Sequence, residues 1–387
     1  MKHEIYEPRE DSIMLSLLVK EHAKGSVLDM GTGSGIQALA AKQSPNVKSV
    51  LAVDLNEDAV DYTQKQGINA IKSDLFSNIK EKFDTIIFNP PYLPEDLREK
   101  KDKHSMAVCG GKHGHELIER FFSDVSEHLN KDSIILLLFS DLTTKQKVDE
   151  IIQHHLFQSE ELTKKTYFFE AIYVYKIKKT KILEELETNN ITKIKFLAKG
   201  KRGYVFSAEL NKIKVAIKVQ KDEESSIERI KNEAQWLGKL NKEGIGPKLY
   251  AHGNLWLAME FVEGERIIGF IEKANKKDIQ TVLTRIFEQL FKLDKMKVSK
   301  KELTYPYKHI IITKGLHPVL IDFERAKFDE SPSNISQFTE FITSSEIEKI
   351  LERKGLNISK EQAIAVAKLY KKEQTKENFE NVTKLAT

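Results

Sequence analysis

Two joined units are expected: an α/β fold built on a doubly wound, mostly parallel sheet, then an α+β unit with a helical tail. Three observations predict this. Between Ser26 and about Lys178, short apolar runs alternate with helical patterns. From Lys178 to Asn190 the chain is Lys/Glu-rich and lacks an evident set of core residues. From Ile194 onward strand patterns come first and helical ones follow. A chain of 387 residues is long for one compact domain. The expected divisions are a first unit over 1–178, a linker over 179–193, a second unit over 194–330 and a helical extension over 331–387.

In the first unit, Ser26–Met30, Ser49–Asp54, Asn69–Asp74, Phe83–Asn89 and Ser133–Ser140 read as strands, being short apolar runs bounded by turn residues. Ile36–Gln43, Glu57–Gln66, Glu116–Leu129 and Thr144–His154 read as the helices between them. A last apolar run, Phe168–Ile177, fits an edge strand closing the sheet. In the second unit, Phe196–Leu210 and Lys214–Gln220 read as strands and Ile227–Leu240 as a helix. Helices near Asn334–Ile342, Ser345–Lys354 and Lys360–Lys371 make up the tail.

Composition narrows the function classes. Sixty-two basic side chains stand against 58 acidic ones, a net +4, so the surface is of mixed sign and any nucleic-acid groove must be local. The single cysteine, Cys109, excludes an internal disulfide and any Cys-cluster zinc site, and suits a reducing cytoplasm. Apolar runs such as Ile134–Phe139 are too short to span a bilayer, so no membrane association is expected. His113, His115, His154 and His155 lack metal-ligand spacing. The charged stretch Pro94–Ser105, with Arg98, Lys100, Lys101 and Lys103, could touch a substrate but reads first as a solvated run.

The strand Ser26–Met30 runs into Gly31-Thr32-Gly33-Ser34-Gly35 and then a helix. Such a loop lets the backbone turn sharply and approach a ligand at the carboxyl edge of the sheet. Dinucleotide enzymes use one as well, and three acids decide between the readings. Asp29, two residues before the first glycine, suits the ammonium of a bound amino acid. Asp54 ends the next strand, where a carboxylate can accept both ribose hydroxyls, and Asp74 with Leu75 ends the one after, within reach of an adenine. Each acid alone is explained by capping a turn. Together they suit a ligand with a ribose, an adenine and a cationic tail, which is S-adenosylmethionine.

The fourth strand ends in Asn89-Pro90-Pro91-Tyr92. The prolines lack an N–H, stop the ladder and fix an extended turn. The Asn89 side chain and the Pro90 carbonyl then offer acceptors to a planar NH2 group, with Tyr92 packed against its plane. An amide nitrogen is a poor nucleophile, so orientation and electrostatics carry the rate and no strong base is needed.

These residues resemble the HemK family of protein glutamine methyltransferases, related through the same Asn-Pro-Pro-Tyr box to N6-adenine methyltransferases. The archaeal and eukaryotic branch is the nearest likeness. It shares Tyr6-Glu7-Pro8-Arg9-Glu10-Asp11, the segment Gly110-Gly111-Lys112-His113-Gly114, and the helix beginning Glu119-Arg120-Phe121-Phe122. The resemblance covers about Glu4 to Lys178. It implies a Rossmann-like class I S-adenosylmethionine-dependent fold and N5-methylation of the glutamine in the Gly-Gly-Gln loop of a class-I translation release factor. It also implies a small zinc-binding activator subunit as partner.

The second unit resembles the protein-kinase-like fold, near the archaeal RIO group. Gly200-Lys201-Arg202-Gly203 lies between strands, as a loop covering phosphates does. Val215-Ala216-Ile217-Lys218 is similar to the kinase strand whose lysine holds phosphates. Glu233 is its expected helix partner, Leu255–Val262 resembles the connection between lobes, and Ile321-Asp322-Phe323-Glu324 resembles the metal-binding motif with Glu324 in place of glycine. The likeness implies ATP at Lys218 and one Mg2+ at Asp322. It also puts Thr304 and His309 where kinases carry a catalytic Asp and a metal-binding Asn, so nucleotide binding is expected and phosphotransfer stays open. Two other readings remain: adenine-N6 methylation of DNA or RNA, which would want a basic groove the mixed charge does not offer, and an ATP-gated binding protein.

Overall fold

The computed structural model describes residues 8–92, 112–221 and 224–386. Tyr6, Glu7, the Pro94–Ser105 run, Cys109, Gly110 and Gly111 lie outside the described residues. The chain divides into two compact units between Asn189 and Asn190.

The first unit is a seven-stranded sheet in the order β3-β2-β1-β4-β5-β7-β6. Its strands are β1 (Gly25–Met30), β2 (Val47–Asp54), β3 (Asn69–Lys72), β4 (Phe83–Phe88), β5 (Leu129–Ser140), β6 (Phe157–Thr166) and β7 (Ala171–Lys179). The first five are parallel, and β7 runs antiparallel to both neighbours. Helices α1 (Glu10–His22), α2 (Ile36–Lys42), α3 (Glu57–Lys65), α4 (Glu116–Asp124) and α5 (Lys145–His154) complete it. Leu15 and Val19 of α1 pack with Val27, Ile87, Leu136 and Val174 in one buried cluster, while Ala38, Ala52, Val60 and Ala70 form another. Because β1 pairs with β2 on one side and β4 on the other, the strand order reverses at β1. The carboxyl ends of the strands at such a reversal are where open α/β sheets bind ligands.

Three expectations need correction. The run read as an edge strand, Phe168–Ile177, contributes β7, which is interior; Phe168 and Phe169 lie before it and are exposed. The true edge is β6, whose sequence FQSEELTKKT faces solvent along most of its length and gives almost no apolar signal. The helix expected over Glu116–Leu129 stops at Asp124, passes through a 3-10 turn, and Leu129 already begins β5. The segment 179–193 is not structureless. Thr180 caps α6 (Lys181–Thr188) by accepting from the Leu183 N–H, and Leu183 and Leu186 are buried.

The second unit opens with a five-stranded antiparallel sheet, order β11-β12-β10-β9-β8. Its strands are β8 (Ile191–Lys199), β9 (Gly203–Leu210), β10 (Ile213–Gln220), β11 (Leu249–His252) and β12 (Trp256–Glu260). Helix α7 (Glu224–Leu240) follows β10. After α8 (Ile267–Lys273) and α9 (Lys276–Lys295) come short strands that include Ile310–Ile312 and Pro318–Leu320. The tail forms α10 (Asn334–Ile342), α11 (Ser345–Arg353) and α12 (Lys360–Lys372), close to the expected bounds, and then α13 (Lys376–Thr383), which was not expected. Ile286, Phe287 and Leu290 of α9 meet Phe338 and Phe341 of α10 and Tyr370 of α12 in one core. Among the described residues, no helix is long and apolar enough to cross a membrane.

Candidate active site

The glycine loop leaves β1 with Gly31, Gly33 and Gly35 all at positive φ, between 52° and 78°, where a side chain is disfavoured. The Gly31 and Thr32 N–H groups donate to the Val53 carbonyl at 2.8 and 2.9 Å, which ties the loop to β2. A Cβ on Gly31 or Gly33 would meet nothing within 4 Å, so these glycines border open space and form a cradle that a ligand can enter.

The acids sit around that cradle. Asp29 is 1% exposed, and its Oδ2 accepts from Thr32 Oγ1 at 2.6 Å and from the Ala38 N–H at 3.1 Å. Oδ1 takes no hydrogen bond among the described residues and is left for a donor from outside. Burial pushes the Asp29 carboxyl up to about 6, against the hydrogen bonds from Thr32 and Ala38. The Asp54 carboxylate accepts from the Gly33 N–H at 2.9 Å and the Asn56 N–H at 2.8 Å, and burial raises it too. Asp74 lies past the end of β3, and its carboxylate is held by the Arg120 guanidinium of α4 at 2.9 and 3.0 Å. Arg120 was not foreseen as its partner. Beside it, half-buried Leu75 adopts φ 47°, and Phe76 stacks on His128 with ring centroids 4.4 Å apart.

Asn89 follows β4 directly. Its Nδ2 donates to Ser12 Oγ at 3.4 Å, while its Oδ1 is buried with no donor among the described residues. The Tyr92 hydroxyl donates to Asp11 Oδ2 at 3.3 Å, and Ser12 Oγ donates to Asp11 Oδ1 at 3.4 Å. The Gln37 amide donates to the Ser12 carbonyl at 2.9 Å and ties the start of α1 to α2. The first turn of α1 therefore holds both ends of the Asn89–Tyr92 box. Sequence reasoning used Asp11 only as part of a family segment and missed Ser12 and Gln37. The signal was weak, because two small polar residues at a helix start read as caps. Gly114 (φ 84°) packs against the Tyr92 carbonyl so closely that a Cβ would come within 2.5 Å of it, which explains the last glycine of the 110–114 segment.

The residues present fit S-adenosylmethionine. The cradle of Gly31 and Gly33 leaves room for its backbone-like tail, Asp29 Oδ1 offers a charge for its ammonium, and Asp54 stands at the neighbouring strand end. The cofactor supplies an electrophilic methyl group. Among this chain's own residues, Asn89 Oδ1 is left as a buried acceptor at the end of β4, directly before Pro90, Pro91 and Tyr92.

In the second unit, Lys218 of β10 is the centre of a charge cluster. Its Nζ donates to Glu233 of α7 at 2.7 Å and to Asp322 at 3.0 Å, and lies 3.1 Å from Glu324. Burial opposes its charge, but the three carboxylates outweigh burial and hold the ammonium well above the usual lysine range. Asp322 adopts φ 65° and is kept below the usual carboxylate range, since Lys218 overcomes the effect of burial. His309 Nδ1 stands 3.7 Å from Asp322 Oδ2. Thr304 makes no hydrogen bond to this cluster. Lys300, which the sequence did not bring forward, reaches it instead, donating to the Ile321 and Asp322 carbonyls at 2.8 and 2.7 Å; burial lowers its pKa to about 8. Gly200 closes the β8–β9 turn by donating to the Gly203 carbonyl at 2.8 Å. Gly203 is demanded by packing, since a Cβ there would fall 2.0 Å from the Val219 carbonyl.

Comparison with known proteins bears on the first unit. Residues 11–172 match the family described as methyltransferase small domain. Over 151 residues the chain is 36% identical to a putative protein N5-glutamine methyltransferase of Methanocaldococcus jannaschii, covering 37% of this chain and 76% of that one. It is 31% identical over 171 residues to the release factor glutamine methyltransferase of Streptococcus pneumoniae, covering 41% of this chain and only 61% of that enzyme. Among solved structures, the E. cuniculi Mtq2-Trm112 complex that methylates the eRF1 termination factor is similar, at 26% identity and a TM-score of 0.38 over 46% of this chain and 99% of that one. With the glycine cradle, Asp29 and the Asn89–Tyr92 box in these positions, the chain belongs through its first unit to the family of S-adenosylmethionine-dependent protein glutamine methyltransferases.

Proposed function

We propose that the first unit N5-methylates the glutamine of the Gly-Gly-Gln loop in a class-I translation release factor. The observation that carries this reading is Asn89 Oδ1, a buried acceptor at the end of β4 with no donor among the described residues. A buried unsatisfied acceptor costs about 1–3 kcal/mol, and an incoming amide NH2 removes that penalty. The release-factor activity of the similar S. pneumoniae enzyme supports the choice of substrate. A small zinc-binding subunit is the expected activator, and the cytoplasm, where release factors act, is the expected location. Nucleic acid is not the expected substrate. The test is methyl transfer from labelled S-adenosylmethionine to the purified release factor and to its Gly-Gly-Ala variant, with the zinc-binding subunit supplied and DNA as competitor. Label on the wild-type factor alone supports the reading. Label on DNA favours the adenine-N6 alternative.

For the second unit we propose a kinase-like nucleotide-binding module, with ATP and Mg2+ as ligands and Asp322 as the metal-binding acid. Its support is the chain of ion pairs from Glu233 through Lys218 to Asp322. Binding of ATP to the full chain, lost in Lys218→Ala, is the measurement. If ATP changes methyl transfer without appearance of phosphoprotein, the unit acts as a nucleotide-gated regulator rather than a phosphotransferase.

A further inference from the structure

Glu324 is a carboxylate buried among the second unit's own cations. It is 8% exposed. Its Oε1 accepts from the Arg202 guanidinium, which comes from the turn between β8 and β9, and Arg229 Nε of α7 stands 3.8 Å away. Its Oε2 accepts from Gln220 Nε2 at 3.0 Å and lies 3.1 Å from Lys218 Nζ. Gln220 ends β10, is 2% exposed, and its Oε1 has no donor among the described residues, so its amide serves Glu324 alone. Lys218 and Arg202 hold the carboxylate below its usual pKa range although burial opposes this. Guanidinium, ammonium and amide donors converging from the β8–β9 turn and β10 on one small anion are the donor set that binds a phosphoryl group.

Two further features separate the side chain from its backbone. Asn232 Nδ2 donates to the carbonyls of Glu324 and Ala326, both at 2.9 Å, and so anchors the main chain on α7. The carboxylate can leave by side-chain rotation without moving that anchor. Arg202 is about a third exposed, so the receptacle opens to solvent on the side of the Gly200–Gly203 turn.

We propose that Arg202, Lys218 and Gln220 form a receptacle for one phosphoryl group of a nucleoside polyphosphate, and that Glu324 is its displaceable internal occupant. This rests on the nucleotide-binding reading of the second unit and adds to it a built-in competitor. Ligand affinity is then lowered by the fraction of molecules in which Glu324 is out of the receptacle. When the ligand enters, Arg202 exchanges Glu324 for phosphate and the β8–β9 turn is gripped from a new side.

The test uses the full chain with inorganic tripolyphosphate and, separately, ATP with Mg2+, both by titration calorimetry. Glu324→Ala is expected to bind tripolyphosphate about tenfold or more tighter than wild type. Glu324→Gln, which keeps the size and removes the charge, should fall between them. The double variant Glu324→Ala/Arg202→Ala should lose the gain. Should Glu324→Ala fail to fold, the rise in melting temperature of Glu324→Gln with tripolyphosphate, set against that of wild type, decides. Equal or weaker binding by the folded Glu324 variants overturns the proposal. If wild type still binds ATP through Lys218 in that case, the nucleotide-binding reading survives and only the internal occupant is lost. If no form binds ATP or tripolyphosphate, both fall.

Discussion

Replacing Asp29 by asparagine should stabilise the ligand-free protein and weaken its hold on S-adenosylmethionine. Burial moves the Asp29 carboxyl from its ordinary 3.8 to about 6. Two pH units at 1.36 kcal/mol each make the ionised form cost about 3 kcal/mol at neutral pH. The sign follows from linkage. With its pKa raised in the folded state, this group contributes stability that is fully present below about pH 3.8 and lost as pH rises through 6. The asparagine oxygen can still accept from Thr32 and Ala38, so Asp29→Asn removes the charge without breaking the loop. It should raise the melting temperature at pH 7.5 by up to about 6–12 °C and flatten the dependence between pH 4 and 7. The same change removes the partner of the cofactor's ammonium. A charge-assisted hydrogen bond of about 1.5–3 kcal/mol corresponds to a dissociation constant roughly 10- to 150-fold larger. Calorimetric unfolding of the full chain across that pH range, with a cofactor titration at pH 7.5, reads both effects. A variant that melts lower than wild type and binds the cofactor equally well would refute the reasoning and make Asp29 a structural cap of α2.

Asn89→Ala should lower kcat by about 10³-fold or more while S-adenosylmethionine affinity stays unchanged, read by single-turnover methyl transfer beside a cofactor titration; full activity in this variant would sink the amide-holding mechanism. Asp11→Ala and Tyr92→Phe should each lower kcat about tenfold, and the double variant should lose little more, because the two side chains share one hydrogen bond; full additivity would show that Asp11 acts elsewhere. Asp294, 1% exposed in α9, is raised by burial to about 7 while Asn334 donates to it at 2.7 Å. Its contribution is therefore lost as pH rises through 7, so urea titrations should show the second unit weakening by a few kcal/mol between pH 5 and 8, and Asp294→Asn abolishing that slope.

What could be read in advance was what local chemistry determines. The glycine loop, the acids and the proline pair are short segments whose residue types imply their own backbone; all lie at the strand ends where they were expected except Asp74, which falls past the end of β3. The parallel strands were legible because burial on both faces makes them continuous apolar runs. The polar edge strand β6 was not, since exposure on both faces and bulged pairing with β7 leave it without alternation. The contacts that complete the sites were also hidden. Arg120 reaches Asp74 across 46 residues, and Glu324 meets Gln220 across 104. Lys300 and Thr304 illustrate the same limit. Counting along the motif selected Thr304, whereas the fold brings Lys300 to the backbone of Asp322.

The tie between α1 and the Asn89–Tyr92 box sets an order on how the first unit acquires its activity as it folds. The cradle and Asp54 are joined by contacts such as Gly33 to Asp54, 21 residues apart, which close early. Asn89 and Tyr92 find Ser12 and Asp11 only across 77 and 81 residues, after β4 has formed beside β1 and α1 has docked on the sheet. A folding chain thus becomes able to hold its methyl donor before it can position an acceptor. Docking of α1 is then the step that completes the surroundings of the Asn89–Tyr92 box.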